Sequence, residues 1–279
     1  MKEYENAIKN IQDISAKFCK NLEYFFTDID DTITNNGLLP ASSLNQIWKL
    51  HDSGIKVVLI TGRPAGWCDH FARMWPIDGV IGENGAFYYS FDRKNLKFER
   101  VYYLSEQERL ENRKKLNKVR ERIIKEVPSC GIASDQDFRL FDLAIDCCED
   151  VKRIKDKDFN KVFKILREEN AMYKVSSIHI NCWYGDYDKV SCLRKYLENK
   201  AGKSIKAMQE KIFFTGDSPN DEPIFKEMKY TGAVANINNF LDKLDFYPYF
   251  VASKDTSEGF KEIVNVILNK RKEDLPSIN

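Results

Sequence analysis

The sequence predicts an α/β fold, an open parallel sheet covered by helices on both faces and carrying an inserted α+β domain. Three observations predict it. Short, continuously apolar runs alternate with helical patterns near both ends of the chain, as strands buried on both faces require. Between those stretches apolar residues alternate with polar ones, the pattern of a sheet covered on one side only. Acidic and small polar residues end four of the apolar runs, where an open parallel sheet binds its ligands.

Taken in order, residues 1–22 are charged throughout, and Ile8, Ile11, Ile14 and Phe18 recur at near-helical spacing. They predict an N-terminal helical extension packed on the body. Tyr24-Phe25-Phe26 predicts a buried strand that stops at Asp28. Ser42 or Ser43 can cap a helix bearing Leu44, Ile47, Trp48 and His51, which Gly54 ends. Residues 55–60 read as a second buried strand, broken at Thr61-Gly62-Arg63-Pro64. Trp67, Phe71, Met74 and Trp75 mark one face of the next helix, and Val80-Ile81 is a third strand ended by Glu83-Asn84-Gly85.

The middle of the chain follows a different rule. Residues 87–91 and 98–103 suggest a hairpin, and Ser105 with Glu108 forms a capping box opening a long charged helix. Phe141, Leu143, Ile145 and Cys147 alternate with Asp142, Ala144 and Asp146, and Ile178, Ile180 and Cys182 repeat the pattern after a helix over 158–169. The parallel rhythm then returns with strands at 211–215, 232–235 and 250–252, and helices at 219–228 and about 256–270. These patterns divide the chain into a Rossmann-like core of residues 23–85 and 185–279 and an insertion of residues 86–184.

Composition narrows the function. Hydrophobic residues at 43% and aromatics at 13% suffice for a packed core, which argues against disorder. Lys+Arg is 44 against Asp+Glu 43, so no global basic field recruits nucleic acid or an anionic membrane. No apolar run approaches the roughly 18 residues of a membrane span, and residues 1–22 lack the apolar centre of a secretory signal. The seven cysteines include no C-x-x-C pair, and only His51, His70 and His179 could join them. That spacing argues against zinc and predicts mostly buried, reduced thiols in a cytoplasmic protein.

The strand ends carry the chemistry. They are Asp28-Ile29-Asp30-Asp31-Thr32, Thr61-Gly62-Arg63, Glu83-Asn84-Gly85 and Gly216-Asp217-Ser218-Pro219-Asn220-Asp221, with Lys189 opening a helix after the insertion. Asp28, Asp30, Asp217 and Asp221 crowded into one crevice repel each other, and a hard divalent cation relieves that repulsion. Magnesium fits, since it takes one or two carboxylates together with water and substrate phosphate. A carboxylate nucleophile can then carry a phosphoryl group, splitting one hard displacement into two easier ones. A second acid two residues on can protonate the leaving oxygen and later activate water.

These same residues resemble the haloacid dehalogenase superfamily. Asp28-Ile29-Asp30-Asp31-Thr32 is similar to its first motif, D-x-D-x-T; Thr61 matches the second, Lys189 the third, and residues 216–221 the fourth, G-D-x-x-N-D. An insertion between the second and third motifs resembles the type-two cap of the branch holding Cof-type hydrolases and sucrose- and trehalose-phosphate phosphatases. Thr61-Gly62-Arg63-Pro64 and Asn84-Gly85-Ala86 are similar to that branch.

The resemblance implies a haloacid dehalogenase-like core with an inserted cap domain, and a Mg2+-dependent phosphatase acting on a small phosphorylated metabolite. Asp28 is implied as nucleophile, Asp30 as general acid and base, Thr61 as a phosphoryl ligand, and Lys189 as partner of both phosphate and Asp28. Magnesium is implied on Asp28, the Asp30 carbonyl and Asp217, with Asp221 close by or acting through water. Asn220 is implied to orient Lys189 or the phosphate.

Arg63 and Asn84 are candidate substrate contacts, although a surface ion pair and a simple turn would explain them equally well. Trp67 and Trp75 read as core. So does Trp183, unless it stacks on a sugar ring. His179 reads as a packed strand residue. Two other function classes stay open: a phosphomannomutase-like phosphotransferase, and a non-catalytic module binding a phosphorylated metabolite. Free phosphate against an isomerised sugar phosphate separates the first from a phosphatase, and the costly cluster of acids argues against the second.

Overall fold

A computed structural model describes residues 8–176 and 178–273. The chain opens with a short strand, β1 (Lys9–Asn10), a 3-10 turn and helix α1 (Ala16–Asn21). Strand β2 (Tyr24–Thr27), α2 (Ala41–Asp52), β3 (Lys56–Ile60), α3 (Ala65–Met74) and β4 (Gly79–Gly82) follow. A hairpin of β5 (Phe87–Asp92) and β6 (Lys97–Tyr102) leads to the middle section. That section contains α4 (Glu106–Glu126), β7 (Gly131–Ile132), β8 (Asp142–Asp146), α5 (Asp156–Glu168), β9 (Met172–Val175) and β10 (His179–Trp183). The chain ends with α6 (Lys189–Ala201), α7 (Ile205–Met208), β11 (Ile212–Gly216), α8 (Glu222–Glu227), β12 (Thr231–Ala233), β13 (Phe250–Val251) and α9 (Thr256–Lys272).

The strands form a nine-stranded sheet, ordered β1-β13-β12-β11-β2-β3-β4-β5-β6, and a separate four-stranded sheet, β7-β8-β10-β9. The large sheet is parallel from β1 to β4 and antiparallel across β4, β5 and β6. The small one is antiparallel throughout. This is the α/β architecture the apolar runs predict. Side chains from one face of the large sheet, such as Phe25, Val57 and Phe213, pack with α1, α2, α3 and α9. Tyr24, Phe26, Val58 and Phe214 on the other face pack with α6, α7 and α8. No described helix is long and apolar enough to cross a membrane.

Four local expectations change. The N-terminal stretch is not one helix: Asn10 accepts the Gln12 N–H through its side chain and caps the 3-10 turn, while Lys9 pairs with Phe250 at the sheet edge. Ile11, Ile14 and Phe18 are nevertheless buried, as their spacing predicts. The hairpin belongs to the large sheet rather than to the insertion, because Phe87 is covered from one face and Tyr88 from the other. Helix α2 starts at Ala41, before the serines, and Ser43 is buried inside it. Strand β8, expected to be open on one side, is buried along its whole length.

The buried second face of β8 has a cause. Leu143 and Ile145 pack under α4 and α5, whereas Asp142 and Asp146 point the other way and are 4% and 1% exposed. Glu83, at the end of β4, is fully buried and accepts N–H groups from Ala65, Leu140, Phe141 and Asp142. Four amide donors offset part of the desolvation of that carboxyl, which burial still pushes up to about 7. Arg139 is 2% exposed, donates to the Gly62 carbonyl at 3.1 Å and pairs with Asp135 and Asp142. The middle section is thus fastened to the core at residues 139–142 as well as through the chain connections near Leu104 and Gly185.

Candidate active site

Parallel strands bring their carboxyl ends to one edge of the sheet, and β2 and β11 are neighbours there. Asp28 follows β2, and its N–H donates to the Thr215 carbonyl at 2.9 Å. Asp217 follows β11. Lys189 is the first residue of α6, whose end is closed by a capping box between Asp188 and Ser191. Its Nζ lies 2.8 Å from Asp28 Oδ1 and 2.8 Å from Asp221 Oδ1. Asp28, Asp217 and Lys189 are each less than 8% exposed, and Asp221 is fully buried.

Electrostatics follow from that burial. Desolvation pushes the Asp28 carboxyl up to about 7; Lys189 opposes the shift, and Asp221 and Asp30 reinforce it. Asp217 is driven well above the usual carboxylate range by burial and then by Asp221, Asp28 and Asp31. Burial disfavours the Lys189 cation, but Asp221 and Asp28 outweigh it and raise its pKa. Three buried carboxylates against one ammonium leave two negative charges uncompensated, the amount one divalent cation neutralises. The oxygen-only donors suit a hard ion such as magnesium.

Asp221 lies close by, as the resemblance implies, with its oxygens already engaged. Asp221 Oδ1 takes the Lys189 ammonium, and Oδ2 accepts N–H groups from Asp217 at 3.1 Å and Ser218 at 3.4 Å. Its carboxylate is committed to protein partners, which places it behind the crevice rather than among direct metal ligands. Among the described residues no group of three or more Asp, Glu, His or Cys side chains has metal-holding geometry. Asp28 and Asp217 remain as the carboxylate donors at the crevice. Asp217 is held by Thr32 Oγ1 at 3.3 Å and by Asn236 Nδ2 at 3.1 Å.

Other expected residues take different partners. Arg63 does not stand free for substrate. Its Nε and Nη2 donate to Asp30 at 3.1 and 2.7 Å, its Nη1 lies 3.5 Å from Glu149 Oε1, and its guanidinium covers the Trp67 ring at 4.6 Å. Thr61 is fully buried at the end of β3 and its Oγ1 accepts the Arg63 N–H. Asn220 donates to Asn84 Oδ1 at 3.3 Å rather than to Lys189. Asn84 sits in a left-handed turn with φ +56°. Trp67 is 39% exposed, not core, and Trp183 is buried and stacked on Tyr187. The seven cysteines form no disulfide, and Cys19, Cys68, Cys147, Cys182 and Cys192 are buried.

Asn236 and Glu149 went unnoticed in the sequence. Asn236 lies just beyond β12, another carboxyl end, so the strand-end rule could have found it. Glu149 lies in a loop of the insertion and carries no local signature.

The geometry meets its counterpart in known proteins. The family model of haloacid dehalogenase-like hydrolases matches residues 25–125. Over that stretch the chain is similar to this family. It is 28% identical over 255 residues to a phosphoglycolate phosphatase of Methanobrevibacter smithii, covering 88% of this chain and 97% of that one. Among solved structures, a Thermoplasma acidophilum protein superposes with a TM-score of 0.66 at 19% identity, over 89% of this chain and 98% of its own. The sucrose-phosphatase of Synechocystis, solved with sucrose and phosphate, superposes with a TM-score of 0.61 at 12% identity, over 90% and 98%. At such identities the structural likeness speaks for the haloacid dehalogenase-like fold.

Proposed function

We propose that this chain is a magnesium-dependent phosphatase of small phosphorylated metabolites, sugar phosphates foremost, with Asp28 as nucleophile. One observation carries the reading: Lys189 bridges Asp28 and Asp221 at 2.8 Å each, beside Asp217. A buried ammonium on a buried carboxylate orients that carboxylate and supplies positive charge where a phosphoryl group would arrive. The names of the phosphoglycolate phosphatase and sucrose-phosphatase relatives support a small organic phosphate as substrate.

In this mechanism an Asp28 oxygen bonds to phosphorus while the ester P–O bond breaks, and Asp30 gives its proton to the departing oxygen. Water then attacks the phosphorus of the aspartyl-phosphate, Asp30 takes the water's proton, and phosphate leaves with Asp28 restored. Lys189 and the Thr61 hydroxyl bind the phosphoryl oxygens. Asp28, Asp217 and the Asp30 carbonyl would hold magnesium, which would supply charge neutralisation when bound.

The test is phosphate release from a panel including phosphoglycolate and several sugar phosphates, with magnesium and with a chelator. Magnesium-dependent release that disappears in Asp28→Asn is the expected outcome. Full activity in that variant sinks the nucleophile, and an isomerised sugar phosphate in place of free phosphate points to a mutase.

A further inference from the structure

The Asp30–Arg63 pair does not end at Arg63. On its far side stands Glu149, from the loop between β8 and α5, with Oε1 3.5 Å from Arg63 Nη1. Its other oxygen, Oε2, lies 2.9 Å from His179 Nε2, out of line for a hydrogen bond. The loop is held in place: the Asp146 carboxylate accepts N–H groups from Cys148, Glu149 and Asp150 at 3.0, 2.8 and 2.8 Å. Asp146 is itself 1% exposed and lies opposite His179 across the β8–β10 ladder. An insertion that spends a buried carboxylate on fixing one loop is presenting something on it, and Glu149 is the side chain that reaches the core.

We propose that Glu149 is a positioning residue for Asp30, acting through Arg63. Arg63 grips Asp30 unevenly. Asp30 Oδ1 accepts from both Nε and Nη2, whereas Oδ2 has a single contact at 3.1 Å. Oδ2 is therefore the freer oxygen to exchange a proton with substrate. The remaining terminal nitrogen, Nη1, faces Glu149, so the planar guanidinium is held at two edges by carboxylates from two different sheets. Releasing Glu149 frees the guanidinium to turn about Nε–Cζ and slackens the grip on Asp30. The insertion thereby completes the acid–base geometry of the core only when it is seated against it.

This inference rests on the phosphatase reading, and its test separates the two. Glu149→Ala is compared with the parent on two esters, a simple alkyl phosphate and p-nitrophenyl phosphate. Breaking the alkyl ester needs a proton on the departing oxygen, and the nitrophenolate leaves without one. The quantity read is kcat/KM, which covers transfer to Asp28. Because an acid–base group contributes about 10²–10⁴-fold, loosening one lowers the alkyl-to-aryl ratio by about tenfold in Glu149→Ala, and Glu149→Asp restores part of it. A second readout needs no turnover. The Arg63 Nε–H resonance, assigned through Arg63→Lys, exchanges slowly with solvent in the parent and at least several-fold faster in Glu149→Ala. An unchanged ratio together with unchanged exchange overturns the proposal. If the parent releases phosphate neither from these esters nor from the metabolite panel, the phosphatase reading fails instead, and the exchange rate alone decides whether Glu149 holds Arg63.

Discussion

Gly85 links the end of β4 to the active-site lysine through space, and replacing it tests the site geometry without touching any charged group. Its φ is +106°, a conformation side chains rarely adopt, and an added Cβ would lie 2.0 Å from the Asp188 carbonyl oxygen and 2.8 Å from the Lys189 nitrogen. Ordinary contact begins at 3.4 Å, so one backbone must retreat by 1.4 Å, the difference between those two distances. The strained backbone costs about 1–3 kcal/mol and overpacking about as much again, so Gly85→Ala destabilises by about 2–6 kcal/mol. The retreat carries the first turn of α6 with it, and with it Lys189. A misplacement of about 1 Å costs on the order of 100-fold in rate. Gly54→Ala is the matched control, with φ +75° and nothing within 4 Å of the added carbon. It bears backbone strain alone and keeps full turnover. Urea unfolding and phosphate release on both variants decide the matter. A Gly85→Ala protein as stable and as active as Gly54→Ala refutes the claim that this contact seats Lys189.

The pH dependence of stability follows from Asp28. Its carboxyl moves from an ordinary 3.8 to about 7 on folding, chiefly through burial. Between those values the folded state keeps a proton the unfolded state has lost, so this group's contribution falls as pH rises from about 4 and is lost above about 7. In metal-free protein, Asp28→Asn should flatten that decline, measured as urea midpoints from pH 4.5 to 8. Lys189 keeps Asp221 as its partner in that variant, which limits the loss from breaking the pair. A steeper decline than the parent's contradicts the reasoning. Glu83→Gln replaces an acceptor of four amide N–H groups by a side chain whose oxygen still accepts two of them and whose NH2 meets the other two donor to donor. Leaving buried donors unsatisfied costs about 1–3 kcal/mol each, so a drop of at least about 2 kcal/mol in unfolding free energy is expected, and an unchanged midpoint would argue against the attachment.

Much of the fold was legible because its signals are local. Tyr24-Phe25-Phe26 and Phe213-Phe214 are apolar on both faces of a strand and need cover on both, which only a central position in the large sheet provides. The capping box of Ser105 and Glu108 forms as four consecutive residues predict. Misreadings arose where local patterns were silent about cover. The 87–91 strand is as apolar as a core strand, yet its place after Gly85 suggested the insertion. Asp142 and Asp146 read as an open face because their partners, Arg139 and Asn181 for the first and the 148–150 loop for the second, follow no periodic pattern.

Local patterns in the chain were enough to place the parallel core and the strand ends that gather Asp28 and Asp217, since a strand's polarity dictates where its carboxyl end lies. Which partner each site side chain takes came from packing alone. Arg63 turns to Asp30 and Glu149, Asp221 to Lys189 and two backbone amides, and Asn236 to Asp217. The physical reason is that a side chain's hydrogen-bonding capacity is fixed by its chemistry, whereas its partner is whichever group the packing of distant segments brings within about 3 Å of it.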